Sequence, residues 1–211
     1  MKKLFKAIPH NACAAETQYM LCFVRCCIKF YLKGIFIMAR RSPLDRYPIT
    51  QKYIMTRGQA LTFPADLLSV KVKSEEVYGM VIDIPMGVDV VITMVCFVNG
   101  AANLYFNNGN EYSGASQRYR NLVQVARNLV LSANELKPLC EKVKSFDMPV
   151  GKTHYIHLLT KKGVYKTTIE PSKIAELEMP KRIVFSLYQQ VLSEIRNCQL
   201  KDQAAGINAN K

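Results

Sequence analysis

Asn99-Gly100 stands between two apolar runs, Asp89–Val98 and Ala101–Asn107. No short dipeptide signals a hairpin more strongly, because a type I′ turn needs positive φ at both central positions, and Asn and Gly tolerate it best. A hairpin at this point commits the chain to antiparallel pairing. Asp89–Val98 is apolar on both faces, as suits a central strand covered on both sides. Ala101–Asn107 alternates, with Ala102, Leu104 and Phe106 inward. Upstream, Val77–Ile84 places Tyr78, Met80, Ile82 and Ile84 on one face and Asp83 on the other, and Pro85-Met86-Gly87 turns the chain onward. The pattern predicts a three-stranded meander.

Asn107-Asn108-Gly109-Asn110 ends the third strand. Ser116 is then placed to cap a helix whose apolar positions Tyr119, Leu122, Val123, Ala126, Val130 and Ala133 keep the 3.6 period, and Pro138 stops it. A second hairpin follows, Thr153–Thr160 and Val164–Glu170, turned by Lys161-Lys162-Gly163. Pro180 marks the start of a last helix with Val184, Leu187, Val191, Ile195 and Cys198 on one stripe. From Lys201 the chain is small and polar, so residues 201–211 read as a frayed tail.

The expected fold class is α/β of the α+β type: a five-stranded antiparallel sheet in one domain over residues 77–200. Its order is three strands, helix, two strands, helix. That order resembles the profilin-like group, including roadblock and longin domains, over residues 77–198. The resemblance implies helices packed on a five-stranded antiparallel sheet, dimerisation, and protein partners such as small GTPases or trafficking machinery. It is a likeness of element order alone, and fold does not fix function.

Residues 38–76 are punctuated by Pro43, Pro48, Gly58 and Pro64. Only short pieces stand out near Ile49–Thr56 and Leu67–Val72, so this stretch reads as an irregular arm, free or laid over one sheet face.

The first 37 residues differ from the rest. Four of the seven cysteines (Cys13, Cys22, Cys26 and Cys27) fall here, against Cys96, Cys140 and Cys198 elsewhere. The odd total and the absence of CxxC argue against a disulfide framework or a zinc site, which points to a reducing, cytoplasmic setting. Residues 19–38 have the length of a membrane span but carry Arg25, Lys29 and Lys33. On insertion scales each central basic residue costs roughly 2.5–3.5 kcal/mol against about 0.3–0.6 regained per Leu, Ile, Phe or Val. A basic interfacial helix is the second reading, since the three cations recur every four residues. The third is that residues 1–37 are a translated leader: Lys33-Gly34 implies purine-rich codons three codons before Ile35-Phe36-Ile37 give way to Met38, which would be the native start.

Of 211 residues 49% are hydrophobic and 21% charged, which excludes a mainly disordered or collagen-like chain. The net charge of +13 is partly the leader's. Residues 1–37 hold six basic and one acidic side chain, and without them 23 basic face 15 acidic residues, a net +8. These charges are dispersed and carry no nucleic-acid motif, so they support only nonspecific, salt-sensitive nucleic-acid binding.

The nearest approach to a chemical motif is Gly109-Asn-Glu-Tyr-Ser-Gly114-Ala115-Ser116. It has the glycines and hydroxyl of a phosphate loop but Ala115 where the lysine belongs. What is left is an anion or nucleotide site built from Gly109, Gly114, Ser116, Arg118 and Arg120. Asp83 and Asp89 flank the Pro85 turn and form a candidate carboxylate pair for acid–base work or a cation. His154 and His157 are three apart, so a strand sends them to opposite faces and they cannot share a metal. Cys96 and Cys198 read as core. No catalytic set, metal site or cofactor is expected. The expected function is a non-enzymatic interaction module with a protein partner or a second copy of itself, the anion or nucleic-acid reading being the alternative.

Overall fold

The computed structural model of the chain describes residues 47–87 and 89–207. The three readings of the N-terminus, the four early cysteines and the last four residues lie outside the described residues.

Seven strands form one antiparallel sheet: β1 (Gly79–Pro85), β2 (Val91–Phe97), β3 (Ala102–Phe106), β4 (Glu111–Tyr112), β5 (Glu141–Val143), β6 (His154–Thr160) and β7 (Gly163–Ile169). Their order is β4-β3-β2-β1-β6-β7-β5. The meander and the second hairpin are present, and they join through β1 and β6, with Val81 opposite His157. The sheet has seven strands rather than the expected five. β4 and β5 hold two and three residues, too few for alternation to show in sequence, and each attaches at an outer edge.

Among the described residues three α-helices cover the sheet: α1 (Gln51–Leu61), α2 (Arg120–Leu136) and α3 (Met179–Ala204). Met80, Ile82 and Ile84 of β1, with Met94 and Cys96 of β2 and Ile156 and Leu158 of β6, form a buried core with α2 and α3. Burying each such side chain contributes roughly 1.5–3 kcal/mol, so this face carries most of the hydrophobic stabilisation. α2 and α3 supply Leu122, Ala126, Leu129, Val130, Val184, Tyr188, Val191 and Ile195, all at most 1% exposed. Val81, Val95, Phe97 and Leu159 face the other way, onto Ala60, Leu61, Ala65 and Leu68. Tyr78 does not share a face with Met80 as expected. It joins this second cluster and donates its hydroxyl to the Phe63 carbonyl at 2.6 Å.

The arm over residues 38–76 is therefore not irregular throughout. Thr50 accepts the Tyr53 N–H and starts α1, whose buried stripe is Tyr53, Arg57, Ala60 and Leu61. That spacing is helical, but an arginine at its centre hides it from a search for apolar residues.

The Asn99-Gly100 turn differs from the type I′ form. Positive φ occurs at Gly100 and at no other residue type but glycine among the described residues. The Gly100 N–H closes onto the Phe97 carbonyl at 2.8 Å, and the Asn99 side chain accepts the Ala101 N–H at 3.0 Å. The loop is one residue longer, with glycine at its left-handed position.

Ser116 does not cap α2. It lies in a one-turn helix, and its hydroxyl accepts the Ala102 N–H at 2.9 Å, satisfying a backbone donor of β3. Nor is the chain frayed from Lys201 on: α3 runs to Ala204, and Asp202 is 1% exposed. The stripe Val184, Tyr188, Val191, Ile195, Cys198, Asp202 keeps spacings of four and three throughout, so Asp202 belongs to the buried face.

Candidate functional site

β1 ends at Pro85 and its neighbour β6 begins at His154, so the loops at this end of the sheet converge. They enclose a pocket of about 360 Å³. Pro85, Met86 and Gly87 come from the β1–β2 turn, Lys152 and His154 from the entry to β6, and Pro171 and Ser172 from the turn after β7. Two prolines hold these walls at fixed φ.

His154 is 7% exposed, and its Nδ1 lies 2.7 Å from the Tyr188 hydroxyl of α3. Phe185 stacks on the imidazole with centroids 6.4 Å apart and meets Tyr188 edge-on. Burial pushes the His154 pKa down to about 4, so the ring is neutral at pH 7. With Nδ1 engaged by the phenol, Nε2 is its other hydrogen-bonding atom, and it has no hydrogen bond among the described residues. Lys152 is exposed and pairs with no carboxylate among the described residues. Met86, Val90 and Val150, which are 62%, 44% and 54% exposed, give this end of the sheet an apolar surface.

The Ser172 hydroxyl is spent on Glu170 at 2.9 Å, His154 is oriented by a phenol and not a carboxylate, and no carboxylate lines the cavity.

The residues singled out from the sequence have other partners. Gly109 lies in the β3–β4 turn and Gly114 before the one-turn helix, both with positive φ. Ser116 is held by β3, Arg118 binds Asp202 at 2.6 Å, and Arg120 is exposed at the start of α2. Of the three candidate side chains Ser116, Arg118 and Arg120, only Arg120 has no hydrogen bond or ion pair among the described residues. Asp83 and Asp89 do not meet. Asp83 is fully buried at mid-strand opposite Thr93, whereas Asp89 is exposed in the turn, where its carbonyl accepts from the Asn107 side chain at 2.9 Å.

Asp83 is instead the centre of a polar cluster under α1. Arg57 grips both its oxygens, and the Thr93 hydroxyl donates to Oδ1 at 2.7 Å. His157 is buried beside them, its Nδ1 3.8 Å from Asp83 Oδ2, on the opposite face from His154. Desolvation lowers its pKa to about 4. Burial opposes ionisation of Asp83, yet the Arg57 guanidinium holds its carboxyl below the usual range. Arg57 also donates to the carbonyls of Phe146 and Asp147, so the cluster fastens α1 and the strand-connecting segment to the sheet.

Cys96 and Cys198 are buried in the core, and no group of three or more His, Cys, Asp or Glu that could hold a metal occurs among the described residues. The sequence reading missed the His154 pocket and the partners of Arg57 and Asp202. The unbroken stripe through Asp202 was the one available signal.

Compared with protein-family models, curated proteins and solved structures, the chain matches none of them. Among the described residues no helix is long and apolar enough to cross a membrane.

Proposed function

We propose that this protein is a non-enzymatic, cytoplasmic protein-interaction module, and that its partner docks on the loop end of the sheet. The observation that carries the reading is the His154 pocket, apolar-walled, beside Lys152, which pairs with no carboxylate among the described residues, and the exposed side chains of Met86 and Val150. Such a surface fits an apolar side chain flanked by a carboxylate: the apolar group enters between Met86 and Pro171, an acceptor meets His154, and the carboxylate neutralises Lys152. The profilin-like element order supports a partner-binding role by analogy only. The alternative, an anion site on the Gly109–Arg120 loop, finds less support because Ser116 and Arg118 are already engaged.

The test is a peptide array that presents Leu or Phe flanked by Asp or Glu, with Lys-flanked peptides for comparison. The acidic set is expected to bind, and Met86→Glu or Lys152→Glu to weaken it about tenfold or more. Sedimentation of both variants decides whether a second copy occupies the same surface. Equal binding of acidic and basic peptides, or indifference to both substitutions, would sink the reading.

A further inference from the structure

Asp202 receives four hydrogen bonds. Tyr112 donates to Oδ2 at 2.6 Å and Arg118 Nη2 to the same oxygen at 2.6 Å. Tyr119 donates to Oδ1 at 2.7 Å and Arg118 Nε to it at 3.2 Å. Each oxygen therefore has two donors, one from a phenol and one from the guanidinium, the planar fork that matches a carboxylate.

The donors and the acid come from different parts of the fold. Tyr112 is on β4, and Arg118 and Tyr119 precede α2, all within one eight-residue stretch, while Asp202 enters from the far end of the chain. The three donors thus belong to a different part of the chain from the acid they hold. The Asp202 side chain is 1% exposed, but that of Arg118 is 35% exposed, so the site opens to solvent on the arginine side. Lys201 lies over the Tyr119 ring at 5.6 Å, which leaves the cluster with a surplus of positive charge. Asp202 sits in the last turn of α3, two residues before Ala204.

We propose that Tyr112, Arg118 and Tyr119 form a carboxylate-binding site which Asp202 fills in cis, and which takes a carboxylate from outside the chain once the Asp202 carboxylate is withdrawn. The site is separate from the His154 pocket and does not depend on the reading given to it. Its ligand class is a planar carboxylate, because the donors are two parallel pairs aimed at two oxygens, with none placed for the further oxygens of a phosphate.

The experiment uses the full chain carrying Asp202→Ala, melted at pH 7 in sodium acetate, sodium phosphate or sodium chloride at matched ionic strength. Acetate at several times its Kd is expected to raise Tm by about 2–4 °C over chloride, and to saturate. The unaltered protein, with its site filled, is expected to show no such difference. The double variant Arg118→Met/Asp202→Ala is expected to lose the rescue while the single variant keeps it. Should Asp202→Ala be unfolded in chloride, the same series is read as recovery of far-ultraviolet circular dichroism. Acetate behaving like chloride overturns the site, rescue that survives loss of Arg118 overturns its donors, and phosphate outdoing acetate overturns the carboxylate class.

Discussion

Arg57 and Asp83 close on each other beneath α1 in two parallel hydrogen bonds, Nε to Oδ1 at 3.0 Å and Nη2 to Oδ2 at 2.7 Å. The aspartate is 0% and the arginine 7% exposed, so neither charge has water to fall back on. Deleting one partner strands the other, at a cost of about 3–5 kcal/mol. Arg57→Leu and Asp83→Leu are each expected to lose that much in urea denaturation. The double variant is expected to be more stable than either single one. Additive losses would show that the two side chains act independently.

The two buried histidines set a pH window. Both imidazoles are neutral in the fold, with pKa values lowered to about 4 by burial, whereas unfolded histidine titrates near 6.5. Unfolding between pH 4 and 6.5 therefore takes up protons, and stability falls as the pH drops through that window. The slope approaches two protons, about 2.7 kcal/mol per pH unit. Urea melts from pH 4.5 to 7.5 measure it, and His154→Phe is expected to remove about half.

Asp202 acts lower on the scale. The Arg118 guanidinium, followed by the phenols of Tyr112 and Tyr119, holds its pKa down to about 2. A depressed carboxylate contributes stability that is complete above the unfolded value near 3.9 and is lost as the pH falls toward 2. Asp202→Asn is expected to be less stable at pH 7 and to show a shallower acid limb below pH 4. An acid limb as steep as in the parent protein would separate Asp202 from the effect.

Two glycines are expected to respond with opposite signs to alanine. Gly100 has φ of +88°, and a Cβ there would lie 2.9 Å from the Val123 carbonyl oxygen. The left-handed backbone alone costs about 1–2 kcal/mol, and the start of α2 must shift as well. Gly58, inside α1, has nothing within 4 Å of an added Cβ. Gly58→Ala is expected to stabilise by roughly 0.5–1 kcal/mol through helix propensity. Thermal melts of the two variants give the comparison.

The order of long elements was legible because each buries one continuous face. Met80, Ile82 and Ile84 alternate, and Leu122, Ala126 and Val130 keep the helical period. What escaped were features written in polar residues. α1 shows its stripe only when Arg57 is counted as buried, and Arg57 is buried only because Asp83, 26 residues on, neutralises it. Asp202 looked like part of a polar tail because its partners lie more than 80 residues earlier. The His154 pocket is assembled from three separate loops, which no local pattern encodes.

The sheet ends in a two-residue strand on one side and a three-residue strand on the other. Beyond β4, the free Ala102 N–H is already covered by the Ser116 hydroxyl, and Glu141 and Lys142 place charges on the opposite margin. Strands this short offer an incoming chain few backbone groups to pair with, one of the ways in which sheet edges avoid growth by strand addition.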